Sequence, residues 1–578
     1  MKHFYIFFFF ISLLVACSPS GPSGTSNPFS TSLTLNQSEL DGYVSYPEQE
    51  LGFEAGSLAT QLKTDLKLKL DAEISSPVWE GQTLQATSVA LSGQYAVVSY
   101  NMQGQTYLGA LDVIDLSKKN KPSLTTRLLY KNADVNAVSV RNGNVYAVLA
   151  TENKGSSYTS LLQVLPLDKD GKLALETSQG MKVVGLQGYA GTSVLAADQV
   201  LVTSGDNAGL SVLDGASLEL RTFVELDDAR WVDQVGRYIA VLQGNPGRLS
   251  IFDEKLVLQH EVALEGLDSK EAKSMLKVLG TTAFVSTGNK GAALVDLETG
   301  SIMGEIGFDS GFNSNALAVD SNFVFIAGGA EGIYAAYADH NFMQPISESL
   351  ALDTLGKLAL KDFDSANHVV LSGSTLVVAS GLGGVKIINL EYEKLELESV
   401  SACEWKVSNP NNFPVAFSWQ TSSSDAVGYV VAEADTETSF RAPEAKEDLQ
   451  IVVNGEVVDS AKAEKKCGVN ADTELSFKIV NDWFNNNGKD YGFQAEIRLT
   501  NTSTKTISDW EINFDLEAKF STIWNASAQK KDGHVRLRAL GWNNELKPGE
   551  SITVGMTGTA EEKFDKVDNL SSSVEFDD

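Results

Sequence analysis

One unit recurs seven times between residues 89 and 399, and it constrains the fold more than any other feature. Each copy opens with an apolar strand and turns at a polar or glycine tip. It then runs through a second apolar strand to an acidic or polar stop. Three of the clearest copies read Gly209-Leu210-Ser211-Val212-Leu213-Asp214, Gly291-Ala292-Ala293-Leu294-Val295-Asp296 and Gly384-Val385-Lys386-Ile387-Ile388-Asn389. First strands begin near Val89, Val138, Val194, Val232, Leu276, Leu317 and Val369. The period is roughly 40 to 55 residues, the blade length of a β-propeller, and helix-period patterning is nearly absent. The fold class expected is all-β: a seven-bladed β-propeller followed by two small β-sandwich modules.

Blades bury both faces, so runs such as Tyr238-Ile239-Ala240-Val241-Leu242 tolerate continuous apolar residues. Glycines at the turns, Gly205, Gly288, Gly329 and Gly381 among them, suit positive φ and close backbone approach. No helix pattern follows them and none stands in G-x-x-x-x-G-K-[ST], so they do not read as a phosphate cradle. The repeats resemble the LVIVD-type propeller repeat of bacterial surface proteins, which specifies a fold well and a function poorly. No G-x-S-x-G, no H-E-x-x-H and no Ser/His/Asp spacing stands out. His260, His340 and His368 are isolated and read as structural or solvated. Arg230-Trp231 would line a central funnel or pack between blades. No catalytic residue is assigned. The rival to a passive ring is a glycan lyase or hydrolase built on the propeller; a third reading is an adhesion or assembly protein using the ring for protein contacts.

The formal net charge of −30 argues against nucleic acid, whose binding needs a stripe of Lys and Arg. With five His and three Cys, no cluster has zinc-ligand spacing, so neither metal nor cofactor is expected.

At the N-terminus, Lys2 precedes an apolar run, Phe4 to Val15, of signal-peptide length. The run ends in Leu14-Val15-Ala16-Cys17, which resembles a bacterial lipobox. That resemblance implies cleavage after residue 16, acylation of Cys17 and anchoring in a lipid bilayer. Ser18, not Asp, follows, which in Gram-negative lipoproteins favours the outer membrane and is expected here to display the chain at the cell surface. Residues 17–50 begin as a Ser/Pro/Gly-rich tether. Residues 51–88 lead into the ring, with Leu58, Leu62, Leu66 and Leu70 spaced for one short helix.

Residues 400–466 carry short strands and an Asn454-Gly455 hairpin signal, suggesting a small Ig-like β-sandwich with Trp405 and Trp419 in its core. Cys403 and Cys467 would be oxidised in an exported protein, and pairing them would staple this module by about 4 kcal/mol in the chain-entropy model.

Residues 467–560 resemble a family 2 carbohydrate-binding module. The matching segments include Asn481-Asp482-Trp483, Gly492-Phe493-Gln494-Ala495, Asp509-Trp510-Glu511, Thr522-Ile523-Trp524-Asn525 and Leu540-Gly541-Trp542-Asn543-Asn544. The resemblance implies that Trp483, Trp524 and Trp542 stack on sugar rings while Trp510 is core. An indole is the largest flat apolar partner for the C–H face of a pyranose. Asn525, Asn543 and Asn544 are candidates for reaching sugar hydroxyls. The loop from Phe484 to Tyr491 is longer than the family's and offers Phe484 or Tyr491 as a fourth platform. The family's terminal disulfide is incomplete, with Cys467 at the position of its first member. The acidic tail, 561–578, reads as solvation. The expected partner is insoluble polysaccharide, cellulose or chitin, with a protein partner on the propeller.

Overall fold

The structure is a computed structural model. It describes residues 27–53 and 66–576, apart from 105, 153–156, 177, 179, 268–272, 308–311, 347–348, 360–363, 402–403, 422–426, 443–448, 463–472, 485–490, 504, 532 and 562. Cys17, Cys403, Cys467, Leu58 and Leu62 lie outside these residues. Among the described residues almost all regular structure is β-strand, and the helical elements are the short turns Gln37–Leu40 and Asp41–Tyr43.

Seven antiparallel sheets follow one another between residues 67 and 391. The third is representative: Ser193–Ala196, Gln199–Thr203, Ala208–Asp214 and Leu220–Leu226 pair in sequence order. The second and third strands are largely buried, the first is half so, and the fourth is mostly exposed. The opening strand of each sheet packs against that of the next. The seventh, His368–Ser372, returns onto the first, Gln85–Ser92.

A polar side chain within or just before the first strand of five of the seven sheets stitches neighbouring sheets. Thr87 Oγ1 donates to Val135 O (3.2 Å), Asn136 Nδ2 to Gly191 O (2.9 Å), and Thr192 Oγ1 to Ala229 O (2.8 Å). Asn315 Nδ2 donates to Ala366 O (3.1 Å), and Asn367 Nδ2 to Ala86 O (2.8 Å). The last bond joins the seventh sheet to the first. Each satisfies a carbonyl at a sheet-to-sheet junction.

The N-terminal segment departs from expectation. Leu66 precedes, and Leu70 lies within, strand Lys67–Ile74, not a helix. That strand pairs with Val385–Glu391 and completes the seventh sheet, so residues ahead of the repeats belong to it. Leu68, Leu70, Ala72 and Ile74 are buried, which the four-residue leucine spacing concealed. Strand Thr31–Thr34 adds to the outer edge of the first sheet.

Strands Glu396–Ser401, Glu404–Asn409 and Thr436–Arg441 form one small sheet, and Val427–Ala432, Val415–Thr421, Leu449–Val453 and Glu456–Ala461 another. Trp405 and Trp419 are buried, as expected of core. This unit shares an apolar cluster with the sixth and seventh sheets. Asn322 clasps it, donating to Pro414 O (2.9 Å) and accepting from Ala416 N (3.0 Å). Phe323 meets Phe413 edge to face at 5.8 Å.

The C-terminal unit has two facing four-stranded sheets. One contains Thr473–Phe484, Tyr491–Asn501, Ser551–Ala560 and Ala518–Trp524. The other contains Ser527–Lys531, His534–Arg538, Ile507–Asp515 and Asp568–Phe576. The acidic tail is therefore not merely solvated. Strand Asp568–Phe576 pairs along Ile507–Asp515, and Leu570, Val574 and Phe576 pack against the core of Phe493, Trp510 and Phe514.

Candidate aromatic binding face

The first C-terminal sheet buries one face and exposes the other. Along Tyr491–Asn501 the inward set is Phe493, Ala495, Ile497 and Leu499, so Gly492, Gln494, Glu496 and Arg498 point outward. Register carries this outward set across the sheet. Trp483 lies opposite Gly492, and Trp524 opposite Gly555. Both indoles therefore share one face, on opposite edge strands.

Glycine at the two facing positions decides how the rings lie. A Cβ built on Gly492 would overlap the Trp483 indole, and one on Gly555 the Trp524 indole, both well under 3.0 Å. Each indole thus lies across its glycine with its far face turned away from the strand. Trp483 is 44% exposed and Trp524 half-buried. Between the two, one cross-strand row reads Asn481, Gln494, Thr557 and Thr522, all outward and polar. These four side chains were not singled out from sequence. Strand alternation alone puts Gln494 on the side of Gly492, but only register brings the other three into its row.

Trp542 sits in the turn after His534–Arg538 and is 69% exposed. Its neighbour Asn543 holds that turn, donating to Asn525 O and accepting from Leu540 N, both at 2.7 Å. Asn525 directly follows Trp524, so these bonds fasten the turn of Trp542 beside Trp524. Trp510 is core, as expected, and its indole N–H donates to Asn543 O at 2.8 Å.

The asparagines are placed differently from expectation. Asn543 is 7% exposed and its amide serves the backbone, so it positions the turn instead of facing a ligand. Asn525 adopts a left-handed backbone (φ 68) and donates to Thr553 O at 2.8 Å. Asn544 donates to Ser508 O at 2.9 Å. Asn543 is committed to its turn, while Asn525 and Asn544 each use the amide N–H to tie their turns to a carbonyl elsewhere in the module. Tyr491 falls in the inward phase with Phe493 and does not extend the aromatic face; residues 485–490 and the Phe484 side chain lie outside what is described.

Residues 473–572 match the Cellulose binding domain family. The C-terminal module is thus of the family 2 cellulose-binding type. Exoglucanase B of Cellulomonas fimi is 39% identical over 70 residues, covering 12% of this chain and 6% of that enzyme. A cellulose/chitin binding protein of Mycobacterium bovis is 38% identical over 69 residues, covering 12% of this chain and 49% of that protein. The chain thus spans less than half the length of these relatives, and the likeness is one of modules. The solution structure of the chitin-binding domain of Chi18aC from Streptomyces coelicolor aligns with a TM-score of 0.15 at 24% identity, covering 17% of this chain and 89% of that domain. The matched span of the module reaches into Asp568–Phe576, consistent with that strand's place in its second sheet.

A second concavity, about 330 Å³, lies where the opening strands of all seven sheets converge. Its lining is mostly Val, Leu and Ala, with Asp233, Lys277 and His368 as titratable groups. Asp233 pairs with Lys277 at 3.2 Å and accepts Val278 N at 2.9 Å. Burial, aided by the charges of Lys273 and Lys277, drives His368 down to about 3. Its imidazole is therefore neutral at physiological pH, against Trp231 at 5.7 Å. Trp231 lines this cavity, whereas Arg230 pairs with Asp228 at 2.8 Å. Among the described lining residues Asp233 is the one carboxylate. His260 and His340 bond to the carbonyls of Glu298 (2.8 Å) and Gln344 (3.2 Å).

Proposed function

We propose that this chain is a membrane-anchored, non-catalytic lipoprotein that holds insoluble β-1,4-linked polysaccharide, cellulose or chitin, at the cell surface. The observation that carries the reading is the pair of indoles lying over Gly492 and Gly555 on one face, with exposed Trp542 fastened beside Trp524. Flat indoles offer apolar area to the C–H faces of successive sugar rings. The row of Asn481, Gln494, Thr557 and Thr522 between them supplies donors and acceptors for hydroxyls. Affinity then comes from stacking, and orientation from the polar row.

In this reading the seven sheets close as a seven-bladed propeller of the LVIVD type. Cys17, acylated, ties it to the outer membrane. The welded contact at Asn322 and Phe323 makes ring and small sandwich one rigid spacer, with a protein partner on the ring a further possibility of the same scaffold. The test is a pull-down of the soluble chain from Ser18 onward on microcrystalline cellulose and chitin, with release of soluble sugar assayed in the same tubes. Binding lost in the Trp524→Ala, Trp542→Ala double variant, without sugar release, supports the proposal. No binding by the unmodified chain refutes it, and sugar release transfers the function to an enzyme.

A further inference from the structure

The end of the ring formed by the first three sheets carries a second aromatic surface. Three tyrosines from three loops meet there. Tyr107 lies between strands Tyr95–Asn101 and Gly109–Asp115, Tyr158 just before Ser160–Pro166, and Tyr189 between Lys182–Leu186 and Ser193–Ala196. The Tyr107 and Tyr189 hydroxyls are hydrogen-bonded to each other. Thr159 Oγ1, next to Tyr158, reaches Gly188 O, next to Tyr189, at 3.4 Å. Tyr107 and Tyr189 are thus in contact, and Tyr158 stands beside the segment that carries Tyr189.

The backbone beside Tyr107 and Tyr189 is held from below, and the Tyr158 ring rests on a glycine. Gly188 (φ 92) would place a Cβ 2.8 Å from Ser204 O, and Gly191 would place one 2.7 Å from Val148 Cβ, so the Tyr189 loop is pinned at both ends. Asn136 Nδ2 also bonds Gly191 O at 2.9 Å. The carboxylate of Asp134 accepts Met102 N (3.2 Å) and Leu108 N (3.1 Å) and so fixes the Tyr107 loop. Tyr158 is half-buried against the apolar core of the first two sheets and covers Gly185, where a Cβ would overlap its ring. That is the ring-over-glycine device of Trp483 and Trp524. On this base Tyr189 remains 64% exposed.

We propose that Tyr107, Tyr158 and Tyr189 form a second saccharide-binding surface, one that takes a soluble or single polysaccharide chain independently of the C-terminal module. The choice of a sugar ligand rests on reading the module's indole face as a sugar surface. Backbone pinned beside Tyr107 and Tyr189 loses little freedom on binding, so a few rings suffice for a weak, specific contact. A protein partner is a poorer fit. Aromatic side chains contribute about 150–250 Å² each, and part of this trio is already covered, whereas a standard protein interface needs about 800 Å² per partner. A sugar chain needs only successive ring faces and hydroxyl partners, and the Tyr107 and Tyr189 hydroxyls supply the latter.

The test is affinity electrophoresis of the soluble chain from Ser18 onward in gels containing hydroxyethylcellulose, glycol chitin, xylan or mixed-linkage glucan. Four proteins are compared: the unmodified chain, Trp524→Ala/Trp542→Ala, Tyr189→Ala, and the triple variant. Thermal unfolding shows that each is folded; Tyr189 is exposed enough for its removal to leave the ring intact. We expect the Trp double variant to stay retarded by at least one polysaccharide, and the triple variant to lose about tenfold or more of that affinity. If the Trp double variant abolishes all retardation while Tyr189→Ala migrates as the unmodified chain, the second surface is refuted and the module stands. If Tyr189→Ala alone abolishes it, the second surface stands and the module reading falls. An unmodified chain retarded by none of the four polysaccharides refutes both.

Discussion

Replacing Gly555 by Ala tests how the aromatic face is built. Gly555 is not in the left-handed region, so Ala is compatible with its backbone, and Ala is generally favoured over Gly in a strand by about 0.5–1 kcal/mol. The new Cβ, however, occupies the place of the Trp524 indole. To regain an ordinary separation of 3.4–4 Å the ring must lift by more than about 1 Å or rotate off the sheet. Trp524 is half-buried and can do so. The fold is therefore spared and the platform is not. One indole face is about 100 Å², half of what a Trp side chain buries, and its stacking is worth about 2.5 kcal/mol at 25 cal/mol per Å². Loss of most of it weakens binding by roughly 10- to 60-fold. Depletion isotherms on microcrystalline cellulose measure this, with thermal unfolding alongside. The small sandwich provides the control. Gly428 stands under Trp419 in the same cross-strand relation, but Trp419 is 8% exposed and has nowhere to go. Gly428→Ala should destabilise that unit by about 1–3 kcal/mol and leave cellulose binding unchanged. Unaltered binding by Gly555→Ala, or a large fall in its melting temperature, would refute the reasoning.

Two further outcomes follow from buried polar groups. Burial pushes Asp134 up to about 6, against bonds from Met102 and Leu108 that favour the carboxylate. The folded state then holds the proton more tightly than the unfolded chain, so stability falls as pH rises from about 4 through 6 and levels off above. Asn keeps the one oxygen that accepts both N–H groups, so Asp134→Asn should be more stable than the parent by about 1–2 kcal/mol at pH 7, discounted for partial exposure, and equal to it below pH 4. Chemical denaturation across that range decides it, and parallel curves would refute it. Asn543→Ala removes two half-buried hydrogen bonds and should destabilise the module by about 2 kcal/mol while weakening cellulose binding, although Asn543 faces no ligand. Weaker binding at unchanged stability would instead make Asn543 a sugar contact.

Much of the C-terminal site was legible in advance. The resemblance grouped Trp483, Trp524 and Trp542 on one surface and put Trp510 inside; strand register puts Trp483 and Trp524 on one sheet face and Trp510 in the core, while Trp542 sits in a turn fastened beside Trp524. The polar row was not legible, because Asn481, Gln494, Thr522 and Thr557 come from four strands and meet only through register. Asn543 misled for the converse reason. A polar residue beside an exposed Trp looks like a ligand contact until the carbonyls it serves are located.

Sequence by itself determined the local facts: apolar runs of strand length in the repeats and glycines at the turns between them. These depend on neighbours a few residues apart, where side-chain period and backbone sterics suffice. Tertiary structure decided what depends on partners far along the chain. Lys67–Ile74 completes the seventh sheet more than three hundred residues downstream, and Asp568–Phe576 is a module strand instead of a solvated tail. Whether a short amphipathic stretch becomes strand or helix is settled by which open sheet edge can satisfy its N–H and C=O groups, and no stretch of sequence carries the position of its distant edge.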